Sequence, residues 1–167
     1  MNEVKLSGYI PVAIGRITEL HADYYSKHRG FDLFFESKVA LELSEFLNRF
    51  DETHDGFWVV TVDNTIVGAA AIDGSEAKTS GARLRWFIVA PEYQGRGIGQ
   101  RLLGEAITFC RRANIRRVYL HSFAGLDAAR HLYEKFGFVL REETQDKTWG
   151  KLVIEQTFEL PLWSPTG

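Results

Sequence analysis

Hydrophobic positions repeat along this chain with two periods, and the switch between them divides it. Gly8-Tyr9-Ile10-Pro11-Val12-Ala13-Ile14 is short and β-branched, which predicts a strand, at a sheet edge because Pro11 cannot donate to a ladder. Ile17, Leu20, Tyr24 and Tyr25 then fall at helical spacing, with Gly30 as the stop. A second helical pattern runs through Phe35, Val39, Leu43, Phe46, Leu47 and Phe50, with Glu42, Glu45 and Asn48 on its other side. From Phe57 the period becomes that of strands. Residues 57–62 and 65–72 flank Asp63-Asn64, a pair that tolerates the positive φ values of a type I′ hairpin turn. Residues 82–89 predict a further strand, and the glycine-rich stretch 91–99 opens from it directly into a helix carrying Ile98, Leu102, Leu103, Ala106, Ile107 and Cys110 on its apolar face. The next strand, 117–122, follows a helix-long crossover, so it pairs in parallel with 82–89. A helix from about Leu126 to Phe136 ends where Gly137 supplies a left-handed residue. Residues 138–144 and 152–160 predict two closing strands, antiparallel around 147–150. The pattern is α/β, with a mixed, mostly antiparallel sheet of six or seven strands and four helices, expected to form one domain over residues 1–167.

Composition narrows the classes. The chain has 167 residues, 45% hydrophobic and 25% charged, enough to bury a core and ordinary for a globular protein. A formal net charge of -2 argues against a chain built to coat nucleic acid or an anionic membrane. The one cysteine, Cys110, can form neither an intrachain disulfide nor a zinc knuckle, so a reducing cytoplasm is the expected setting and no metal is expected. The start of the chain lacks the apolar core of a signal peptide, and no apolar run approaches the roughly 20 residues of a membrane span. The charge is unevenly spread: residues 1–82 hold 7 basic and 13 acidic side chains, whereas residues 83–117 hold 8 basic and 2 acidic. That basic centre contains the glycine loop and suits a polyanionic ligand. The acidic half would suit a cationic one.

The loop itself carries the sharpest local chemistry. Gly95, Gly97 and Gly99 follow a strand and open a helix, but Gln100 stands where a dinucleotide fingerprint needs its third glycine, and Gln100-Arg101 replaces the Lys-Ser/Thr ending of a P-loop. The physics remains. Glycines let the backbone approach a ligand closely, and the first helical N–H groups lack intrahelical partners, so they can converge on a pyrophosphate with Arg96 and Arg101 beside them. The alternative is a tight strand-to-helix connection with exposed arginines.

The stretch Val89-Ala90-Pro91-Glu92-Tyr93-Gln94-Gly95-Arg96-Gly97-Ile98-Gly99 resembles the acetyl-CoA signature Q/R-x-x-G-x-G/A of the GNAT N-acetyltransferase superfamily, with Gln94, Gly97 and Gly99 at its defining positions. Ala128-Ala129-Arg130-His131-Leu132-Tyr133-Glu134-Lys135-Phe136-Gly137-Phe138 is similar to that superfamily's A…LYEKxGF block. The order of elements agrees, and the resemblance covers most of the chain. Within the superfamily, His21-Ala22-Asp23-Tyr24-Tyr25 and Gln156-Thr157-Phe158-Glu159-Leu160 resemble acetyltransferase domains fused behind MarR-type winged-helix regulators. Without a winged-helix segment, the resemblance implies a free-standing acetyltransferase domain with no DNA-binding part.

What the resemblance implies is specific. The parallel pair would splay, and backbone groups of Phe87, Ile88 and Val89 would pair with the pantetheine arm of acetyl-CoA, one N–H serving as an oxyanion hole. Gln94 and the amides of Gly95, Arg96, Gly97, Ile98, Gly99 and Gln100 would hold the pyrophosphate. The acceptor amine would attack directly, with no acyl-enzyme and Cys110 left in the core. Tyr133 would give a proton to the departing thiolate. His121, Glu36 or a water chain would take one from the attacking amine. Leu126 stands where many relatives carry an asparagine on the pantetheine arm, and Ser122 is the substitute. Tyr24, Tyr25, His28, Phe31, Phe35 and Glu36 are candidate acceptor walls, with core packing the leading alternative for each. The acceptor would be a small-molecule or peptide amine, and a homodimer is compatible with this. Two other classes keep the loop: a non-catalytic acyl-CoA sensor and a nucleotide-binding regulator.

Overall fold

In the computed structural model, which describes residues 3–147 and 151–162, the chain runs β1 (Val4–Ser7), α1 (Ala13–Arg29), α2 (Leu33–Asn48), β2 (Gly56–Val62), β3 (Thr65–Asp73), β4 (Ala82–Val89), α3 (Ile98–Arg112), β5 (Arg117–Phe123), α4 (Asp127–Lys135), β6 (Val139–Asp146) and β7 (Val153–Pro161). The strands form one seven-stranded sheet in the order β1-β2-β3-β4-β5-β7-β6. Every neighbouring pair is antiparallel except β4 with β5. The expected mixed, mostly antiparallel sheet with four helices is present. Asp63 and Asn64 take φ 50° and 67°, the left-handed pair that a type I′ turn between β2 and β3 requires. Gly30 and Gly137 take φ 68° and 98° just beyond α1 and α4. Residues 148–150, where the β6–β7 connection falls, lie outside the described residues. Among the described residues no helix is long and apolar enough to cross a membrane.

Nearly every residue of β2 and β3 is buried, which requires a sheet covered on both faces. The small side chains of Gly68-Ala69-Ala70-Ala71 let α3 lie close. A Cβ added at Gly68 would sit 3.1 Å from both Ile98 and Leu102, so the helix carrying the glycine loop is seated by a residue with no side chain. Ile17, Leu43 and Phe46 of α1 and α2 are fully buried in the same core.

The N-terminal segment corrects the period-2 reading. Residues 8–14 do not form a strand; β1 lies just before them, pairing Val4–Ser7 with β2. Pro11 and Val12 instead make a turn closed by Ala13 N–H donating to Ile10 O at 3.1 Å, and Ala13 opens α1. Ala13, Ile17 and Leu20 belong to the buried stripe of that helix, so what looked like alternation is its first turn. Val12 takes φ 71° and is 74% exposed, a β-branched residue in left-handed conformation with no packing to compensate. Val12→Gly is therefore expected to raise stability by about 1 kcal/mol in chemical denaturation. A loss of stability would show that the turn draws on the valine side chain.

The feature that makes a site is the parting of β4 from β5. Only Ala82–Val118 and Arg83–Tyr119 are paired, whereas β5 pairs along its whole length with β7. A bulge lies at the parting: Ala69 faces Ile88 and Ala71 faces Arg85, so Trp86 and Phe87 together oppose Ala70. Trp86 has φ 48°, held there by Phe46 at 5.4 Å between ring centroids and by the Arg85 guanidinium 4.2 Å over its ring. Beyond the bulge one edge of β4 carries no strand.

Candidate active site

The glycine loop begins at the end of β4 with a single 3-10 turn, Pro91–Tyr93, and is tied back by Gln94 Nε2, which donates to Val89 O at 3.2 Å. Gly95 and Gly97 take φ 77° and 82°, and a Cβ added to either would meet no atom within 4 Å. The open space lies above a run of donors. Among the described residues, no backbone or side-chain acceptor takes the N–H groups of residues 95 to 100, and the α3 ladder starts only at Arg101 N–H to Gly97 O, 3.0 Å. Such a concavity of converging amides at a helix N-terminus suits a pyrophosphate, so the residues present fit the cofactor that the loop implies. Gly99 does something else. Its Cβ would lie 3.2 Å from Leu132 and 3.3 Å from Phe87, so it lets α3, α4 and β4 approach.

From the loop a cleft of about 500 Å³ runs down the open edge of β4, lined by Phe87, Ile88 and Val89 on one side and by Leu126, Ala129 and Leu132 on the other. Leu126, in place of an asparagine, gives this wall an apolar face. At its inner end stands Tyr133, 6% exposed, its ring packed against Phe87, Phe138 and Phe158 at 5.8–6.0 Å between centroids. Burial raises its phenol pKa well above the usual tyrosine range, with the nearby Tyr25 adding to this, so the hydroxyl keeps its proton.

A second, smaller cavity of about 100 Å³ shares Tyr25, Phe87 and Tyr133 with the cleft. One wall is β4, with Arg83 and Arg85; the facing wall is β5 and β7, with His121, Ser122 and Glu155. His121 Nδ1 lies 2.9 Å from Thr157 Oγ1 and 3.5 Å from Glu155 Oε1. Burial, followed by the charges of Arg83 and Arg85, lowers the imidazole pKa to about 4, so it is neutral at physiological pH. With 29% of its side chain exposed, it still reaches solvent. His21 closes the helix side. Its Nδ1 lies 2.8 Å from Ile17 O, and burial pushes its pKa down to about 4. A neutral ring must carry its proton on Nδ1 to donate to that carbonyl, which makes Nε2 an acceptor.

The structure brings together most of the residues expected from the sequence. Phe87, Ile88, Val89, Gln94, Gly95, Gly97, Gly99 and Gln100 line the cleft, and Tyr133 joins it to the second cavity. Ser122 lines the second cavity and not the cleft. Ile98 is buried against β3 and offers only its backbone, while Arg96 is exposed with its guanidinium 5.0 Å over the Tyr93 ring. Glu36 is exposed on α2 and lines neither cavity. Of the acceptor-wall candidates, Tyr25 and Phe35 line the second cavity, while Phe31 packs with them and with Phe123 in a buried aromatic cluster. Glu155 was not anticipated. It enters the site because β7 pairs with β5 so that Phe123 opposes it and Thr157 opposes His121. Cys110 is fully buried on α3, its thiol pKa pushed up to about 12, far from thiolate chemistry. Among the described residues no group of three or more metal-ligating side chains comes together.

A splayed parallel pair with an amide cradle beside it defines an acyl-CoA-type site on a mixed sheet. Residues 15–138 match the acetyltransferase (GNAT) family, and the chain belongs to it. An uncharacterized N-acetyltransferase of Methanocaldococcus jannaschii is 31% identical over 136 residues, 78% of this chain and 58% of that protein. An N-acetylaspartate synthetase of Danio rerio is 34% identical over 92 residues, 55% of this chain and 32% of that one. The chain thus spans little more than half the length of the first of these. In fold, it matches the structure of spermidine N-acetyltransferase from Vibrio cholerae in complex with CoA and spermine, with a TM-score of 0.70, 21% identity and 95% of each chain covered.

Proposed function

We propose that this chain is an acetyl-CoA-dependent N-acetyltransferase acting on a primary amine by direct attack. The observation that carries the reading is the meeting of two cavities at Tyr133, one leading from the amide cradle and one lined by ionisable side chains. Acetyl-CoA supplies an activated acyl thioester. The amides of residues 95 to 100 hold its pyrophosphate, and the open edge of β4 at Phe87, Ile88 and Val89 receives the pantetheine arm as an added strand. A β4 N–H beyond the bulge polarises the acyl carbonyl. Tyr133, kept protonated by burial, gives its proton to the departing sulfur. His121 takes a proton from the amine through Nε2, its Nδ1 side oriented by Thr157 and Glu155. The position of Glu36 makes His121 the stronger choice of base.

The composition supports a cytoplasmic setting, a small-molecule or peptide acceptor, and no nucleic-acid or membrane partner. The likeness to MarR-fused acetyltransferase domains concerns this same catalytic unit. Relatives named for spermidine and for N-acetylaspartate have acceptors of opposite charge, so the acceptor must be read from this chain's own residues. The test is release of free thiol from acetyl-CoA across an amine panel. Turnover with at least one amine is expected. Thermal stabilisation by acetyl-CoA with no thiol release from any amine would make the chain a sensor, and stabilisation by NAD or ATP but not CoA would make it a nucleotide-binding regulator.

A further inference from the structure

Two arginines of β4 line the second cavity, and they differ in what holds them. Arg85 is fully engaged: it is ion-paired to Glu42, lies 3.5 Å from Asp73, and stacks on Trp86. Glu42 is in turn paired with Lys38, so this group of charges balances itself. Arg83, two residues earlier on the same side of the strand, has no salt bridge among the described residues, and its Nε is buried with no hydrogen-bond partner there. Native proteins rarely leave such a donor unmade, and a buried guanidinium offers a planar fork of N–H groups matched to a carboxylate. Across the cavity stand Glu155 and His121. The cavity therefore has, on its β4 wall, a cation that Glu42 and Glu155 attract without pairing with it among the described residues, an anion on its β7 wall, and Tyr133 where it opens on the cleft.

We infer that the acceptor is an amino carboxylic acid, its carboxylate held by Arg83 and its amine presented at the Tyr133 end of the cavity. The inference rests on the acetyltransferase reading and narrows its substrate class. A polyamine would set a second ammonium beside Arg83, whereas an amine with a carboxylate satisfies Arg83 and leaves its amine free to face Tyr133 in the same cavity. The small size of the cavity and the aromatic wall of Phe35 and Phe123 fit a single amino acid better than a folded peptide.

The experiment compares kcat/KM, by thiol release, for amino acids and for their carboxamide and decarboxylated counterparts. The acids are expected to be favoured by ~10²-fold or more, as for a paired buried charge. In Arg83→Gln that ratio should collapse to within a few-fold, and Arg83→Lys should retain part of it, with acetyl-CoA affinity by calorimetry reporting that both variants are folded. A preference for carboxamides or spermidine, or an unchanged ratio in Arg83→Gln, would overturn the inference. If no amine of any kind releases thiol, the acetyltransferase reading fails by itself, and the carboxylate site is then judged by binding. N-acetyl amino acids that raise the melting temperature of the wild-type–CoA complex but not of Arg83→Gln support the site; no shift in either protein overturns it.

Discussion

Gly97→Val is expected to raise the Kd for acetyl-CoA by ~10²-fold or more while the protein stays folded. Gly97 caps α3 at φ 82°, and a side chain there would enter open space, because no atom lies within 4 Å of the added Cβ. The cost inside the protein is thus limited to left-handed strain of about 1–2 kcal/mol. The cost to the ligand is larger, because that open space adjoins the N–H groups of residues 95 to 100, which find no partner among the described residues and are proposed to hold the pyrophosphate. Gly99→Ala is the contrasting control. Its Cβ would press on Leu132 and Phe87, so it should lower the melting temperature through packing rather than act through the phosphates. Calorimetry with CoA alongside thermal melts separates the two. An unchanged CoA affinity in Gly97→Val would remove the cradle from the site.

What the sequence revealed was what local chemistry decides. The Asp63-Asn64 turn, the glycines after α1 and α4, and the loop opening α3 each depend on one or two residues whose backbone preferences are distinctive, and all stand where the pattern places them. Residues 8–14 misled because seven residues are too few to tell a helix's first turn from a strand, and the turn closing at Ala13 uses a valine where left-handed geometry favours glycine. The bulge at Trp86 has no glycine or proline to announce it; it arises from packing between β4 and α2. Glu155 was invisible for another reason. Its place opposite Phe123 is set by the register of β7 on β5, a pairing between distant segments that no local pattern encodes. The charge count was right in total and incomplete in meaning. Of the basic side chains in residues 83–117, Arg96 and Arg101 lie exposed on the loop and the start of α3, but Arg83 and Arg85 line the second cavity, and Arg117 donates to Ser80 O. The acidic half, read as a lure for a cationic amine, is partly spent on arginines: Glu42 and Asp73 pair with Arg85, and Asp55 lies 3.6 Å from Arg49.

Tyr133→Phe is expected to lower turnover by ~10²-fold or more with little change in the affinity for acetyl-CoA. The substitution removes one oxygen and keeps every ring contact with Phe87, Phe138 and Phe158, so it isolates the hydroxyl from the packing. The sign of the pKa shift decides which way the proton moves. A phenol whose pKa is raised by burial holds its proton throughout the working range, so at neutral pH Tyr133 is able to donate a proton and not to accept one as a base. Departure of the sulfur creates an anion in a cleft walled by apolar side chains, where a positioned O–H is worth more than in water. The pH profile carries an independent signature. If Tyr133 is the acid, its deprotonation adds no alkaline fall in kcat near pH ~10, the usual tyrosine range, because the raised pKa moves that fall higher. In the phenylalanine variant, turnover should be limited by unassisted loss of the thiolate, and acceptors with more basic amines should not restore it. Unchanged turnover, with the melting temperature held, would leave Tyr133 as a wall between the two cavities and pass the proton to water.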